Sequence, residues 1–197
     1  MTCMPRKSKH DPRMAPVMPP YDAATQAALE ALGPPIMLFR MFARRPERAR
    51  AIQGWGSYYL SRRSALSLRH RELVIDRTTA LCGAEYEWAI HISVYAAKAH
   101  LTDAQVRSLV HGDSADSCWD VAADRAVLRA VDALHAQSDL ADQQWDDLVA
   151  ATREDGALEV ALLCGWYHAI SFAARALRLP LEPGTAGFPA ADSGALL

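Results

Sequence analysis

The chain has 197 residues, is 51% hydrophobic and carries a formal net charge of -2. That is enough apolar material for one substantial core, and too little positive charge for a nucleic-acid scaffold. Its four cysteines, Cys3, Cys82, Cys118 and Cys164, are scattered, with no Cys-x-x-Cys pair and no His/Cys grouping of zinc-ligand spacing, and a reduced, cytoplasmic setting is expected.

The N-terminal stretch has charges and prolines but no apolar run of signal-peptide length, so export is not expected. The most apolar segment, ALEVALLCGWYHAISFAARALRL, is interrupted by Glu159, His168 and Arg175, which predicts a buried helix and not a membrane span. Basic residues gather at Met1 to Arg13 and at Arg62, Arg63, Arg69 and Arg71. Both groups are short and mixed with polar residues, so both read as solvated surface. Neither a nucleic acid nor a membrane is an expected partner.

Residues 1–20, with five prolines, predict a flexible arm, and the segment 181–197 a tail of the same kind. Between them, residues 21–180 read as a single all-helical domain, because no run of alternating β-branched residues appears. A first helix over Asp22 to Leu32 stops at Gly33, Pro34 and Pro35. The short amphipathic piece IMLFRMFARR follows, and Pro46 opens a helix that runs to about Leu60. Ser67 is the expected N-cap of LRHRELVIDRTTAL. After Cys82 and Gly83 a second helix is expected to about Ala99, and Thr102 with Gln105 forms a capping box for DAQVRSLV. Three longer helices complete the pattern: DVAADRAVLRAVDALHAQ, ADQQWDDLVAATRE and the apolar segment above, the last two separated at Asp155 and Gly156.

The chemistry concentrates in LCGAEYEWAIH, residues 81–91. At about 100° per residue, with His91 as zero, Glu87 lies at about -40°, Ala84 at about 20° and Tyr95 at about 40°, so these four make one stripe. Cys82 lies about 180° away on the same count. The helix before the Cys82–Gly83 turn contributes Glu72, roughly 16 Å back from the turn, against roughly 12 Å forward for His91. A Glu72–His91 contact across an antiparallel hairpin is feasible, and Asp76 can face the same place. Buried carboxylates beside an imidazole move toward neutral pKa values, where proton transfer is efficient. A buried pair can instead serve only to fix helix register; three ionisable groups in one core favour use.

The stretch RELVIDRTTALCGAEYEWAIHISVYAAKAHLTDAQV resembles the core of the carboxymuconolactone decarboxylase and alkylhydroperoxidase D superfamily. In the peroxidases of that group a Glu is followed, twelve positions on, by a Cys-x-x-Cys-x-x-x-His motif. Here Glu72 matches the Glu, Ala84 and Glu87 stand at the two cysteine places, and His91 matches the His. The resemblance implies an all-α, alkylhydroperoxidase D-like orthogonal helical bundle with a central antiparallel helix hairpin, assembled as dimers, trimers or hexamers. It also implies an acid/base enzyme of the decarboxylase kind, a lyase or isomerase acting without cofactor or metal on a small oxo or lactone acid. Its catalytic residues would be Glu72, Glu87 and His91. A thiol peroxidase is the alternative, although both cysteines of the motif are replaced; a non-catalytic oligomeric binding protein is another. Trp88, Tyr95, Tyr167 and His168 are the candidates for contact with the small-molecule substrate, aromatic residues of this kind being more often core. Arg77 is the one candidate partner for a substrate carboxylate.

Overall fold

A computed structural model describes residues 11–191. Cys3 and parts of the expected arm and tail, residues 1–10 and 192–197, lie outside the described residues. Among the described residues there are eight helices and no strand.

Helix α1 (Ala23–Leu32) starts because the Asp22 carboxylate accepts the Thr25 N–H, and stops at Gly33, whose φ of 116° suits glycine. Helix α2 (Met37–Phe42) is one short amphipathic turn-and-a-half. Helix α3 (Pro46–Tyr59) has Pro46 in its first turn, where a missing N–H costs nothing. Helix α4 (Leu68–Leu81) is capped by Ser67, which accepts the His70 N–H.

The turn from α4 into α5 (Glu85–Tyr95) follows from one residue. Gly83 takes a φ of 63°, which lets the Ala84 N–H reach the Thr79 carbonyl and its own N–H reach that of Ala80, the hydrogen-bond pair of a Schellman ending. The chain reverses there, and the two helices pack as the expected hairpin. Helix α5 ends at Tyr95 and not near Ala99; residues 96–100 are turns closed by His100 with a φ of 54°.

Helix α6 (Asp103–His111) carries the Thr102–Gln105 capping box. Helix α7 (Ala122–Gln137) ends in left-handed Ser138. Helix α8 (Asp142–Leu177) joins the last two expected helices across a break at Arg153 (φ 67°, ψ 171°), two residues before the expected separator. Gly156 is needed there, since a Cβ would come within 2.7 Å of the Thr152 Cβ.

Helix α4 sits at the centre, packed against α5, α6, α7 and α8. Leu73, Val74 and Ile75 meet Val127, Leu128 and Val131 of α7 and Leu163 of α8 in the main core, each contributing about 1.5–3 kcal/mol by leaving water. Every residue from Arg71 to Thr79 is buried, so the polar ones among them need partners. Arg77 donates to Asp132 and to the carbonyls of Leu109 and Gly112. Thr79 bonds back to Ile75. Arg71 donates to Glu72. Asp76 has no hydrogen-bond partner on either oxygen.

Two expectations change here. Arg71 is not solvated surface: placed on the central helix, it is buried against Glu72. The described parts of the arm and tail lie on the domain: Arg13 donates to the carbonyls of Leu177 and Ala176, Tyr86 donates to Glu182, and the Phe188 ring meets Trp88 edge-on at 5.2 Å. Helix α8 is the one described helix long and apolar enough to cross a membrane; half of its most apolar window is buried inside the protein.

Candidate active site

The hairpin brings Glu72 of α4 and His91 of α5 together. His91 Nδ1 stands 2.9 Å from Glu72 Oε2. The other carboxylate oxygen, Oε1, accepts from Arg71 Nε and Nη2, each at 2.7 Å. The Arg71 guanidinium also lies over the Tyr95 ring, 5.1 Å from its centroid, and Tyr95 in turn stacks at a tilt on His91. A carboxylate held by two charge-assisted bonds fixes the imidazole: its Nδ1–H donates to Glu72, and Nε2 is left for chemistry.

Nε2 has two neighbours. The Tyr167 hydroxyl of α8 is 3.0 Å away, and Glu87 Oε1, one turn before His91 on α5, is 3.7 Å away. Glu72, Glu87, His91 and Tyr167 are all buried. Burial alone lowers the His91 pKa; the hydrogen bond and charge of Glu72, with Glu87 and Asp76, outweigh it and hold the imidazole above its ordinary value. Burial pushes the Glu87 carboxyl up, with His91 offsetting part of the rise. Burial, then Glu72, drives Asp76 well above the usual carboxylate range, so it is held as the neutral acid. Burial, then Glu87 and Glu72, keeps Tyr167 a phenol.

His91, Glu87, Tyr95 and Tyr167 form the polar end of a cavity of about 510 Å³. Its remaining wall is mostly apolar: Leu38, Phe39 and Phe42 of α2, Ile52 and Gly56 of α3, and Trp166 and Ile170 of α8 are the main contributors, with Gln53 and Ser57 of α3 as its polar members. Among the described residues, no cysteine, arginine or lysine lines it.

The candidate set is therefore divided. Glu87, His91, Tyr95 and Tyr167 line the cavity, and Glu72 stands behind His91 as its anchor. Trp88 does not line it; it is buried against Phe188 of the docked tail. His168 does not line it either, because the residue after Tyr167 turns about 100° away; its Nε2 meets His135 Nδ1 at 2.8 Å. Arg77 is fully engaged with Asp132 and two carbonyls and is out of reach of the cavity. Two contributions went unseen in the sequence. Arg71 was masked by its place in a basic cluster, although its adjacency to Glu72 was a usable signal. The α2–α3 wall carries no chemical signature, only mostly apolar residues at helical spacing.

Cys82 does not line the cavity; it caps the end of α4 and lies outside α5, so the helical count from His91 does not extend to it. Two groups bring metal-ligating atoms within 4.8 Å of one another: Glu72, Asp76 and His91, and Cys82, His135 and His168. In the first, both Glu72 oxygens are already taken, by Arg71 and His91, which suits proton transfer better than a cation. The second is a grouping in space without ligand spacing in sequence: residues more than 30 positions apart meet where the α4–α5 turn abuts α7 and α8.

Fold and site together define an all-helical protein with a carboxylate-anchored imidazole at the end of an apolar cavity. A family model described as the carboxymuconolactone decarboxylase family matches residues 46–134, from the start of α3 through most of α7. The matched segment, which contains Glu72, Glu87 and His91, is what the chain shares with that family. Tyr167 and the α2 wall lie outside the matched residues. No curated protein matches the chain, and no solved structure does.

Proposed function

We propose that the protein is a cofactor-free acid/base enzyme of the carboxymuconolactone decarboxylase-like kind, a lyase or isomerase acting on a small oxo or lactone compound. The observation that carries this reading is His91 Nε2 facing the cavity while Nδ1 is anchored on an Arg71-bound Glu72. In the resting site Tyr167 donates to Nε2. A substrate C–H next to a carbonyl would give its proton to Nε2, and the imidazolium would be stabilised by Glu72 through Nδ1–H. Tyr167, and Glu87 in its acid form, which burial favours, are then the donors for the developing enolate oxygen. Return of the proton to a different carbon gives isomerisation; its delivery after loss of carbon dioxide gives decarboxylation.

The cavity lining narrows the substrate. With no cation in the lining, a substrate carboxylate would have only imidazolium for a counter-charge, so the reading favours a largely apolar compound with at most one acidic group, held near His91. A thiol peroxidase fits less well, since none of the described thiols lines the cavity. The exposed Leu158, Leu162 and Phe172 of α8 give self-association an apolar face to use, and the free thiols of Cys82, Cys118 and Cys164 suit a cytoplasmic location.

The test is hydrogen exchange. Small oxo and lactone compounds incubated in D2O with the protein should gain deuterium next to the carbonyl, read by mass spectrometry, and His91→Ala should abolish the gain. Compounds that bind in the cavity yet never exchange, across the whole series, overturn the reading.

A further inference from the structure

We propose that Cys82, His135 and His168 form a zinc-binding site at the C-terminal end of α4, apart from the cavity. The three come from the end of α4, from α7 and from α8, and their ligand atoms all lie within 4.8 Å of one another. One soft sulfur with two imidazole nitrogens is a donor set that selects zinc or copper over magnesium or calcium. Zinc imposes little geometry of its own, which suits ligands held by three separate helices.

The surroundings prepare the ligands. His168 Nδ1–H donates to the Cys164 carbonyl at 2.8 Å. That bond sets the tautomer, leaving the Nε2 lone pair directed at His135, and it is the kind of outer bond that orients zinc-ligating histidines. His135 Nδ1 faces the same point, 2.8 Å from His168 Nε2, so without an ion the two rings share one hydrogen bond. Cys82 is buried, and burial raises its thiol pKa; an ion would favour the thiolate. The nearest cations are already engaged: Arg175 donates to the Cys82 carbonyl and Arg77 is paired with Asp132.

Binding would form one Zn–S and two Zn–N bonds. The Cys82 proton goes to solvent, and the His135 proton moves from Nδ1 to Nε2 by exchange with water. Zinc–nitrogen bonds of roughly 2.0–2.1 Å at a tetrahedral angle put the two nitrogens about 3.3 Å apart, so the rings part by about half an ångström. Both imidazoles belong to the more open side of the cluster, and the fourth position falls to water.

The experiment is a Co2+ titration of the full, reduced, chelator-treated chain, with Zn2+ in competition. One ion per chain is expected, with a thiolate-to-cobalt charge-transfer band that Zn2+ displaces. Cys82→Ser should remove that band. His135→Asn, a change near the surface that leaves the fold intact, should weaken binding by more than the roughly 10–100-fold that loss of an outer partner costs. Asp76→Asn should leave binding unchanged. Absence of stoichiometric binding overturns the proposal, as does binding that survives Cys82→Ser and His135→Asn or that disappears in Asp76→Asn, which would put the ion at the Glu72 cluster. Because the readout is spectroscopic, it is independent of any activity at His91.

Discussion

Glu72 and His91 are 19 residues apart in sequence and 2.9 Å apart in space, joined through a hairpin whose reversal depends on the left-handed Gly83. The pair is buried, so replacing His91 leaves Glu72 with Arg71 alone. His91→Ala is expected to lower any turnover by about 10²–10⁴-fold, the usual worth of a positioned acid/base group. It should also cost stability, up to about 3–5 kcal/mol with the remaining Arg71 bond moderating the loss. Kinetics and a urea melt on the same preparation measure both.

Glu87→Gln separates catalysis from structure more cleanly. Burial raises the Glu87 pKa, and a glutamine is close in shape to the protonated acid. Stability near neutral pH should change by less than about 0.5 kcal/mol, the range of a substitution that breaks none of the strong mechanisms, while turnover falls and one limb of its pH profile disappears. A large loss of stability with unchanged turnover would make Glu87 a structural ion-pair partner.

Tyr167→Phe removes the donor to His91 Nε2 and nothing else from the cavity lining. Turnover is expected to fall by about 10²–10³-fold if the hydroxyl serves the developing oxyanion. Circular dichroism should show the helical content unchanged.

Asp76 makes stability depend on pH with a definite sign. Its folded pKa is well above the unfolded value, so the folded state holds a proton that the unfolded chain releases. Its contribution is present below the unfolded pKa and is lost as pH rises from there through the folded pKa. Asp76→Asn keeps the neutral form at every pH. Urea midpoints taken from acid to alkaline pH should fall less steeply in Asp76→Asn than in the parent, and the variant should be the more stable of the two at the alkaline end.

Gly56 lies in α3, lines the cavity, and has nothing within 4 Å of where a Cβ would stand. Gly56→Ala should stabilise by roughly 0.5–1 kcal/mol through the unfolded chain. Gly56→Phe projects a ring into the empty space, and should raise KM sharply while leaving the thermal midpoint near that of the alanine variant.

The hairpin was legible because its signals are local and chemical. Ser67 caps, Gly83 reverses the chain, and carboxylates at apolar helical positions announce a buried polar site. The likeness to the family was legible from the same residues. The break in α8 was found two residues late, because Asp155–Gly156 is the evident sequence signal while the unfavourable backbone falls on Arg153, where only packing can hold it. The apolar half of the cavity was not legible: Leu38, Phe42 and Ile170 pattern like any core residues, and only the meeting of α2, α3 and α8 leaves a space between them. The Cys82–His135–His168 cluster escaped for a related reason, since ligands drawn from three helices leave no spacing to read.

The short helix α2 has no side-chain cap of its own, yet its first turn is held from far along the chain: the Met37 N–H by the Glu182 carboxylate and the Leu38 N–H by the Tyr86 hydroxyl, which itself donates to Glu182. Residue 182 follows every described helix. During synthesis, then, the hairpin bearing Glu72 and His91 can pack well before the wall opposite it is fastened, and the cavity acquires its final shape only when this late segment emerges and locks α2 in place.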